Sequence, residues 1–398
     1  MFQSFLFVLI HFKIYTSYNQ LPKSWNAIAV HDLMLTISYL KALELASPSN
    51  ITLYYVGVFK SQQLVGIAVV ERAQLYLKDM FRKSSPSVIK TFFRDIVSSV
   101  LKGNALVVGN LTHTGQHGIA FHDKEISSKD YLETILKAIT TLKDQIKKES
   151  GKTIRIIMLK DYFLNDEILK AKEVFQSKKF NLVKVQPNMV LYVQSDWVRI
   201  EDYIGSLNKK YKTRYKRART KFGTIERLEL DIETIKRSSK QLHALYLNVS
   251  DHAKFNTFLL PEHHFYSLKQ ELQNNFKVFG YFEGNKLIGF YTLILNRDNL
   301  ETYFLGYDSE HQYANQLYLN MLYDMLDFAI MNKFASVVYA RTAMEIKSSV
   351  GARPIDMVMY MRHTNSLVNA LLKRVFNFMK PNQKWEERHP FKQAIVKK

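Results

Sequence analysis

Apolar positions fall into the same order twice along the chain. Residues 57–66, GVFKSQQLVG, and 280–289, GYFEGNKLIG, share the frame G-x-F-x4-L-[VI]-G without a gap, at an offset of 280 − 57 = 223. In each, two apolar runs flank a polar tetrapeptide, Lys60-Ser61-Gln62-Gln63 or Glu283-Gly284-Asn285-Lys286, which predicts a β-hairpin. Each half then offers a long amphipathic helix and a buried strand: Lys129 to Lys148 before TIRIIML, and Asn315 to Asn332 before SVVYA. A second echo follows in PNMVLY, residues 187–192, and PIDMVMY, residues 354–360, at an offset of 357 − 189 = 168. The smaller offset reflects an insertion in the first copy. A period near 200 is too long for a solenoid and predicts a duplicated domain, with a helix-flanked sheet of α/β (α+β) class in each half.

Between the halves, SDWVRIEDYIGSLNKKYKTRYKRARTKFG opens with Ser195 and Asp196 as cap candidates, carries acids early and bases late, and stops at Gly223. This predicts one amphipathic helix over 195–223. Its apolar stripe is Ile204, Leu207, Tyr211, Tyr215, Ala218 and Phe222, while residues 208–222 hold eight Lys or Arg and no acid. One face is expected to be buried. The other is expected to be solvated or to form an anion-binding wall, with Arg214, Arg217 and Arg219 as forked donors.

Composition narrows the chemistry. At 398 residues and 47% hydrophobic, the chain can hold two to three domains with real cores. It has no cysteine, which excludes disulfides, thiolate metal sites and a cysteine nucleophile, and fits a cytoplasmic location. A formal charge of +20 predicts attraction to polyanions, whether nucleic acid, anionic lipid headgroups or phosphorylated substrates. The apolar start, MFQSFLFVLIHF, is shorter than the roughly 20 residues of a membrane span and lacks a basic leader. It reads as a buried first strand or as a start codon placed too early. No G-x-S-x-G, G-x4-G-K-[ST] or H-E-x-x-H occurs, so hydrolase, NTPase and zincin readings have no footing.

Residues KKYKTRYKRARTKF, GYFEGNKLIGFYTLI, YFLGYDSEH and RTAMEIKSSVGARP, in that order, resemble the FemAB-like branch of the GNAT acyltransferase superfamily, which includes bacterial peptidoglycan biosynthesis proteins. SWNAIAVHDLMLTISYLKALELASPSN and VVGNLTHTGQHGIAF are similar to the first halves of the same group. The resemblance implies tandem duplicated GNAT-like domains, each a mixed sheet flanked by helices. The expected partition is 1–194 and 224–365 for the two domains, 195–223 for the linking helix and 366–398 for a basic C-terminal tail. It further implies an N-acyl- or aminoacyltransferase without a metal or a resident cofactor. The co-substrate would be acyl-CoA or aminoacyl-tRNA, and the acceptor an amine, such as a cell-envelope precursor. Peripheral contact with the inner membrane surface belongs to the same expectation, and no stable protein partner is inferred. One departure stands out: where GNAT enzymes place a glycine-rich pyrophosphate loop, residues 309–316 read SEHQYANQ, without glycine. The alternative is a non-catalytic RNA-binding or membrane-surface protein on the same duplicated scaffold.

Aminolysis needs a deprotonated amine, a stabilised oxyanion and a protonated leaving group. The expected catalytic set is Glu345 or Asp308 as base or amine-orienting acid, Lys347 and Arg341 as electrostatic stabilisers, and Tyr303 or Tyr307 as lining proton donors. Arg341 and Arg353 bracket the 341–354 segment and could grip a phosphate, and Gly351 allows close backbone approach. Tyr303, Leu305 and Tyr307 are expected to share one strand face, with Gly306 as a bulge or close-approach point and Glu301 as a second acid. In the first half, Gly115 and His117 of GNLTHTGQHG are expected to line the acceptor groove. His113, His117 and His122 lack metal-site register, and His263 and His264 are assigned to the surface.

Overall fold

The computed structural model describes residues 9–75, 103–252, 257–378 and 385–392. The first eight residues of the apolar N-terminal stretch and parts of the C-terminal tail lie outside the described residues. The chain divides into two compact units. Unit 1 takes residues 1–185, 254–259 and 357–381; unit 2 takes 186–253, 260–356 and 382–398.

Unit 1 is built on a mixed sheet in the order β1-β2-β3-β4-β6-β15-β7. Its strands are β1 (Ile10–Tyr15), β2 (Ile51–Lys60), β3 (Gln63–Leu75), β4 (Gly103–Val108), β6 (Ile154–Phe163), β7 (Asn181–Lys184) and β15 (Met357–His363), with β5 (Ile119–Phe121) beside β3. The helix Ser128–Ser150 connects the parallel neighbours β4 and β6, as a parallel pair requires. Ser127 caps its start and Gly151, in the left-handed region, ends it. Its apolar face, including Tyr131, Ile135, Ile139 and Leu142, packs with Val56, Val70 and Ile157 into one core.

Unit 2 repeats this plan in the order β9-β10-β11-β12-β13-β8-β14. The strands are β8 (Asn188–Tyr192), β9 (Glu226–Glu229), β10 (Phe276–Glu283), β11 (Lys286–Asn296), β12 (Asn299–Tyr307), β13 (Ser336–Val338) and β14 (Arg353–Ile355). β12 and β13 are again parallel, joined through the helix Leu317–Met331. The duplication extends to irregularities: the β2/β3 hairpin slips register after Val58↔Gly66 and the β10/β11 hairpin after Tyr281↔Gly289, both residues again 223 apart. The expected fold class, two mixed sheets flanked by helices, is therefore present.

Two expectations change. The echo strands are exchanged: β8, from the first half, pairs with β13 and β14 in unit 2, while β15, from the second half, sits between β6 and β7 in unit 1. The units consequently divide the chain near 185 and 356 instead of at 194 and 365. The linking helix is also two helices, Ile200–Ser206 and Lys209–Phe222. The first starts where the Asp202 carboxylate accepts the amides of Val198 and Arg199, so Ser195 and Asp196 do not cap it. Leu207 and Asn208 are extended, and Asn208 caps the second helix through the Tyr211 amide. The apolar stripe survives the break: Leu207, Tyr211 and Ala218 are buried in the unit 2 core, with Ile204, Tyr215 and Phe222 packed against it.

Candidate functional site

In unit 2, β13 leads into a turn strained by composition. Ala340, Thr342 and Ala343 have φ of 60°, 65° and 45°, a region L-residues avoid and β-branched Thr most of all. Lys347 holds this turn. It lies on the short helix Met344–Ser348, is buried, and its Nζ donates to the carbonyls of Arg341 at 2.6 Å and Ala340 at 3.2 Å. No carboxylate pairs with it among the described residues, and burial pushes its ammonium down to about 7. Glu345, two residues earlier on the same helix, faces the opposite way and is exposed.

Glu345 opens onto a pocket of about 620 Å³. Lys210, Tyr211 and Arg214 of the basic helix form one wall, Ala343, Met344, Glu345 and Ile346 another, and Trp385 and Arg388 a third. The two segments singled out in the sequence, the basic helix and 341–354, thus meet in one place. The C-terminal residues were expected only as a basic tail. Instead, Phe391 packs on the unit 2 core, Asn208 N donates to Pro390 O at 2.9 Å, and Arg388 N donates to Ser348 Oγ at 3.0 Å. Gly351 makes room for this return: its φ is +107°, and a Cβ there would stand 2.4 Å from Phe391 Cζ. Glu345 forms an ion pair with Arg388, not with Lys347. Neither Trp385 nor Arg388 carried a motif, and only the chain's return to the loop reveals them.

The other sequence candidates have different places. Arg341 is half-buried at the turn, and burial pushes its guanidinium down to about 10. Arg353 is exposed on β14, and Arg217 is exposed on the basic helix. Arg219 does not serve as a free anion donor: it pairs with the buried Asp324 at 2.7 Å, donates to Asn320 Oδ1 and Tyr215 Oη, and stacks over Tyr215 and Tyr323. Asp308 caps the helix Ser309–Ala314 through the Glu310 amide and pairs with Lys286 at 3.2 Å. Burial alone would raise it, yet the Glu310 amide, Lys286 and His311 together hold it below the usual carboxylate range.

Tyr303 and Tyr307 do not share a face, because the β11/β12 register shifts between Tyr291↔Leu305 and Leu293↔Thr302. Tyr303 stacks on His264 with its hydroxyl 3.0 Å from His264 Nε2, while Tyr307 packs on the core beside Tyr318, where burial raises its phenol. His264 is accordingly buried, not on the surface, since its helix, His264–Leu272, covers the sheet; His263 is exposed. Gly306 is the close-approach point, where a Cβ would stand 2.4 Å from the Leu245 backbone. Asp308, Tyr303, Tyr307 and Arg353 are not among the residues lining the pocket.

In unit 1, the glycines of GNLTHTGQHG close a neck. Gly109 and Gly118 approach so closely that a Cβ on Gly118 would stand 2.3 Å from Gly109 Cα, and both bond the Val69 backbone. Inside the loop, His117 Nδ1 lies 2.8 Å from Asp32 Oδ2, and the Gly115 amide donates to Asp161 at 3.3 Å. Burial would raise Asp32, but His117 and the Met34 amide more than offset this and lower it. His122 is exposed and stands apart from His113 and His117.

Segment 309–316, where the resemblance expects a pyrophosphate loop, is tied to its neighbours, with Asn315 Nδ2 donating to Lys221 O at 3.0 Å. The Tyr318 amide donates to Gln312 Oε1 at 2.9 Å, and Asn320 Nδ2 donates to the carbonyls of Asn315 and Gln316. These residues do not fit a pyrophosphate cradle.

Among solved structures, FemX aligns over 91% of this chain and 100% of its own, with 10% identity and a TM-score of 0.52. The chain has the FemX fold. A tandem GNAT protein from the clavulanic acid biosynthesis pathway aligns over 90% of this chain and 99% of its own, with 8% identity and a TM-score of 0.49. A conserved protein of unknown function from Bacteroides thetaiotaomicron aligns over 89% and 99%, with 11% identity and a TM-score of 0.46. No protein-family model matches the sequence, and none of the curated proteins does. Among the described residues, no helix of this FemX-like fold is long and apolar enough to cross a membrane.

Proposed function

We propose that the protein transfers an acyl or aminoacyl group from an activated anionic donor to an amine, with the unit 2 pocket as the reaction site. The observation that carries this reading is the pocket wall itself: Lys210, Arg214 and Arg388 supply positive charge around Glu345, the single lining carboxylate among the described residues. In the proposed reaction Glu345 takes a proton from the acceptor ammonium. The amine nitrogen attacks the donor carbonyl carbon, the bond from that carbon to the donor oxygen or sulfur breaks, the proton on Glu345 passes to the leaving atom, and the second proton of the acylated nitrogen leaves to the freed Glu345 carboxylate and then to solvent. Lys347 acts through the turn that it holds. The glycine-free 309–316 segment, bonded to its neighbours, weighs against acyl-CoA, so aminoacyl-tRNA is the favoured donor class and a cell-envelope amine the favoured acceptor class.

The test is a transfer assay with aminoacyl-tRNA and acyl-CoA panels over a set of amines. Turnover is expected with aminoacyl-tRNA, falling about 100-fold in Glu345→Gln. Donor binding is expected to weaken steeply as salt rises. Turnover unchanged by Glu345→Gln would place the reaction elsewhere. Salt-sensitive tRNA binding without any transfer would favour the RNA-binding alternative.

A further inference from the structure

Glu345, the one carboxylate lining the pocket among the described residues, is held in an ion pair. Arg388 Nη2 bonds its Oε1, and Arg388 Nη1 holds Glu386 Oε1 at 2.7 Å from the other side. The Arg388 amide is fixed on Ser348 Oγ of the helix that carries Glu345, so acid and guanidinium are set opposite each other by backbone as well as charge. Both Glu345 and Arg388 line the pocket, whereas Glu386 does not. An anion entering between Lys210 and Arg214 therefore meets the Arg388 edge that Glu345 occupies, and a guanidinium fork grips a phosphate at least as well as a carboxylate.

We infer that Arg388 is an anion-operated latch: phosphate groups of the donor take the guanidinium from Glu345 and so release the carboxylate to face the amine. The inference rests on the reading of this pocket as the donor site, and it adds an order of events. Donor binds first, and Glu345 becomes available only in its presence. An amine arriving before the donor meets Glu345 already paired with Arg388, which protects the site from unproductive binding. Arg388 thus binds the donor and, by leaving Glu345, sets when that carboxylate is available.

The test uses inorganic pyrophosphate as probe and carbodiimide-driven coupling of glycine ethyl ester to carboxylates, read at Glu345 by mass spectrometry on the full-length protein. Pyrophosphate is expected to raise labelling of Glu345 roughly two- to fivefold, the range that a partly exposed ion pair supports. In Arg388→Met, labelling is expected to be high without pyrophosphate and indifferent to it. Arg388→Lys, which keeps the charge but loses the fork, is expected to fall between and serves if the Met variant does not fold. Saturable pyrophosphate binding by calorimetry, with Glu345 labelling unchanged or reduced, overturns the latch and leaves the donor-site reading standing. No saturable binding overturns both.

Discussion

At the scale of single residues, two buried ionisable groups set opposite pH dependences. Lys347 releases its proton near 7 in the folded protein, whereas its ordinary value is 10.5. Above 7 the unfolded chain binds more protons at this site, so stability rises with pH between about 7 and 10.5; below 7 the cost of burying the charged lysine is constant and adds no pH dependence. Glu71, fully buried on β3, behaves inversely. Its Oε2 accepts the Leu111 amide and its Oε1 has no partner among the described residues, and burial, only partly offset by that amide and by Lys160, pushes the group up to about 7. The stability contributed by its protonated form is present below about 4.5 and is lost as pH rises to 7. Urea midpoints from pH 4.5 to 9.5 are therefore expected to fall and then rise. Lys347→Met is expected to flatten the upper limb, worth on the order of 3 kcal/mol by pH 9.5, and Glu71→Gln the lower. A Lys347→Met profile that still climbed above 7 would contradict the account of the turn.

At the scale of elements, the 341–354 segment shows what sequence can and cannot say. Its mixed charges and Gly351 marked it, but what Gly351 admits is Phe391, forty residues on, which no local pattern reveals. Gly351→Ala meets both a left-handed φ and the Phe391 ring, and is expected to cost about 2 kcal/mol or more in chemical denaturation. Gly205→Ala is the control: it lies in the helix Ile200–Ser206 with nothing among the described residues within 4 Å of an added Cβ, and is expected to stabilise by roughly 0.5 kcal/mol. Equal effects would mean that the returning C-terminal segment is not docked. The hairpins, the helix Ser128–Ser150 and the apolar stripe of the basic helix were legible because period and turn chemistry act within a few residues. The β11/β12 register shift that parts Tyr303 from Tyr307 was not, since alternation read on one strand assumes an unbroken ladder. His264 escaped for the same reason: its partner, Tyr303, lies 39 residues away.

At the scale of the whole molecule, the duplication was legible but the ownership of its last strand was not. Two copies of M-V-[LM]-Y satisfy either sheet on hydrophobic grounds, so composition cannot decide which half each completes; only pairing does. The exchange predicts which pieces stand alone. A fragment of residues 1–194 leaves β6 and β7 without the strand between them, exposing two unpaired edges and the Phe175 ring that Tyr360 of β15 stacks on at 3.8 Å. It is expected to lack a cooperative unfolding transition. Lys184 pairs with Val358 in antiparallel register, and Val185 N bonds Met357 O at 3.3 Å, so the end of β7 lies beside the start of β15. A two- to four-residue Gly-rich turn can join residue 185 to 357 as a hairpin. The fusion of 1–185 to 357–378 is expected to unfold cooperatively in urea, monitored by far-UV circular dichroism. Cooperative unfolding of the 1–194 fragment would show that β15 is dispensable, and with it the assignment of unit 1.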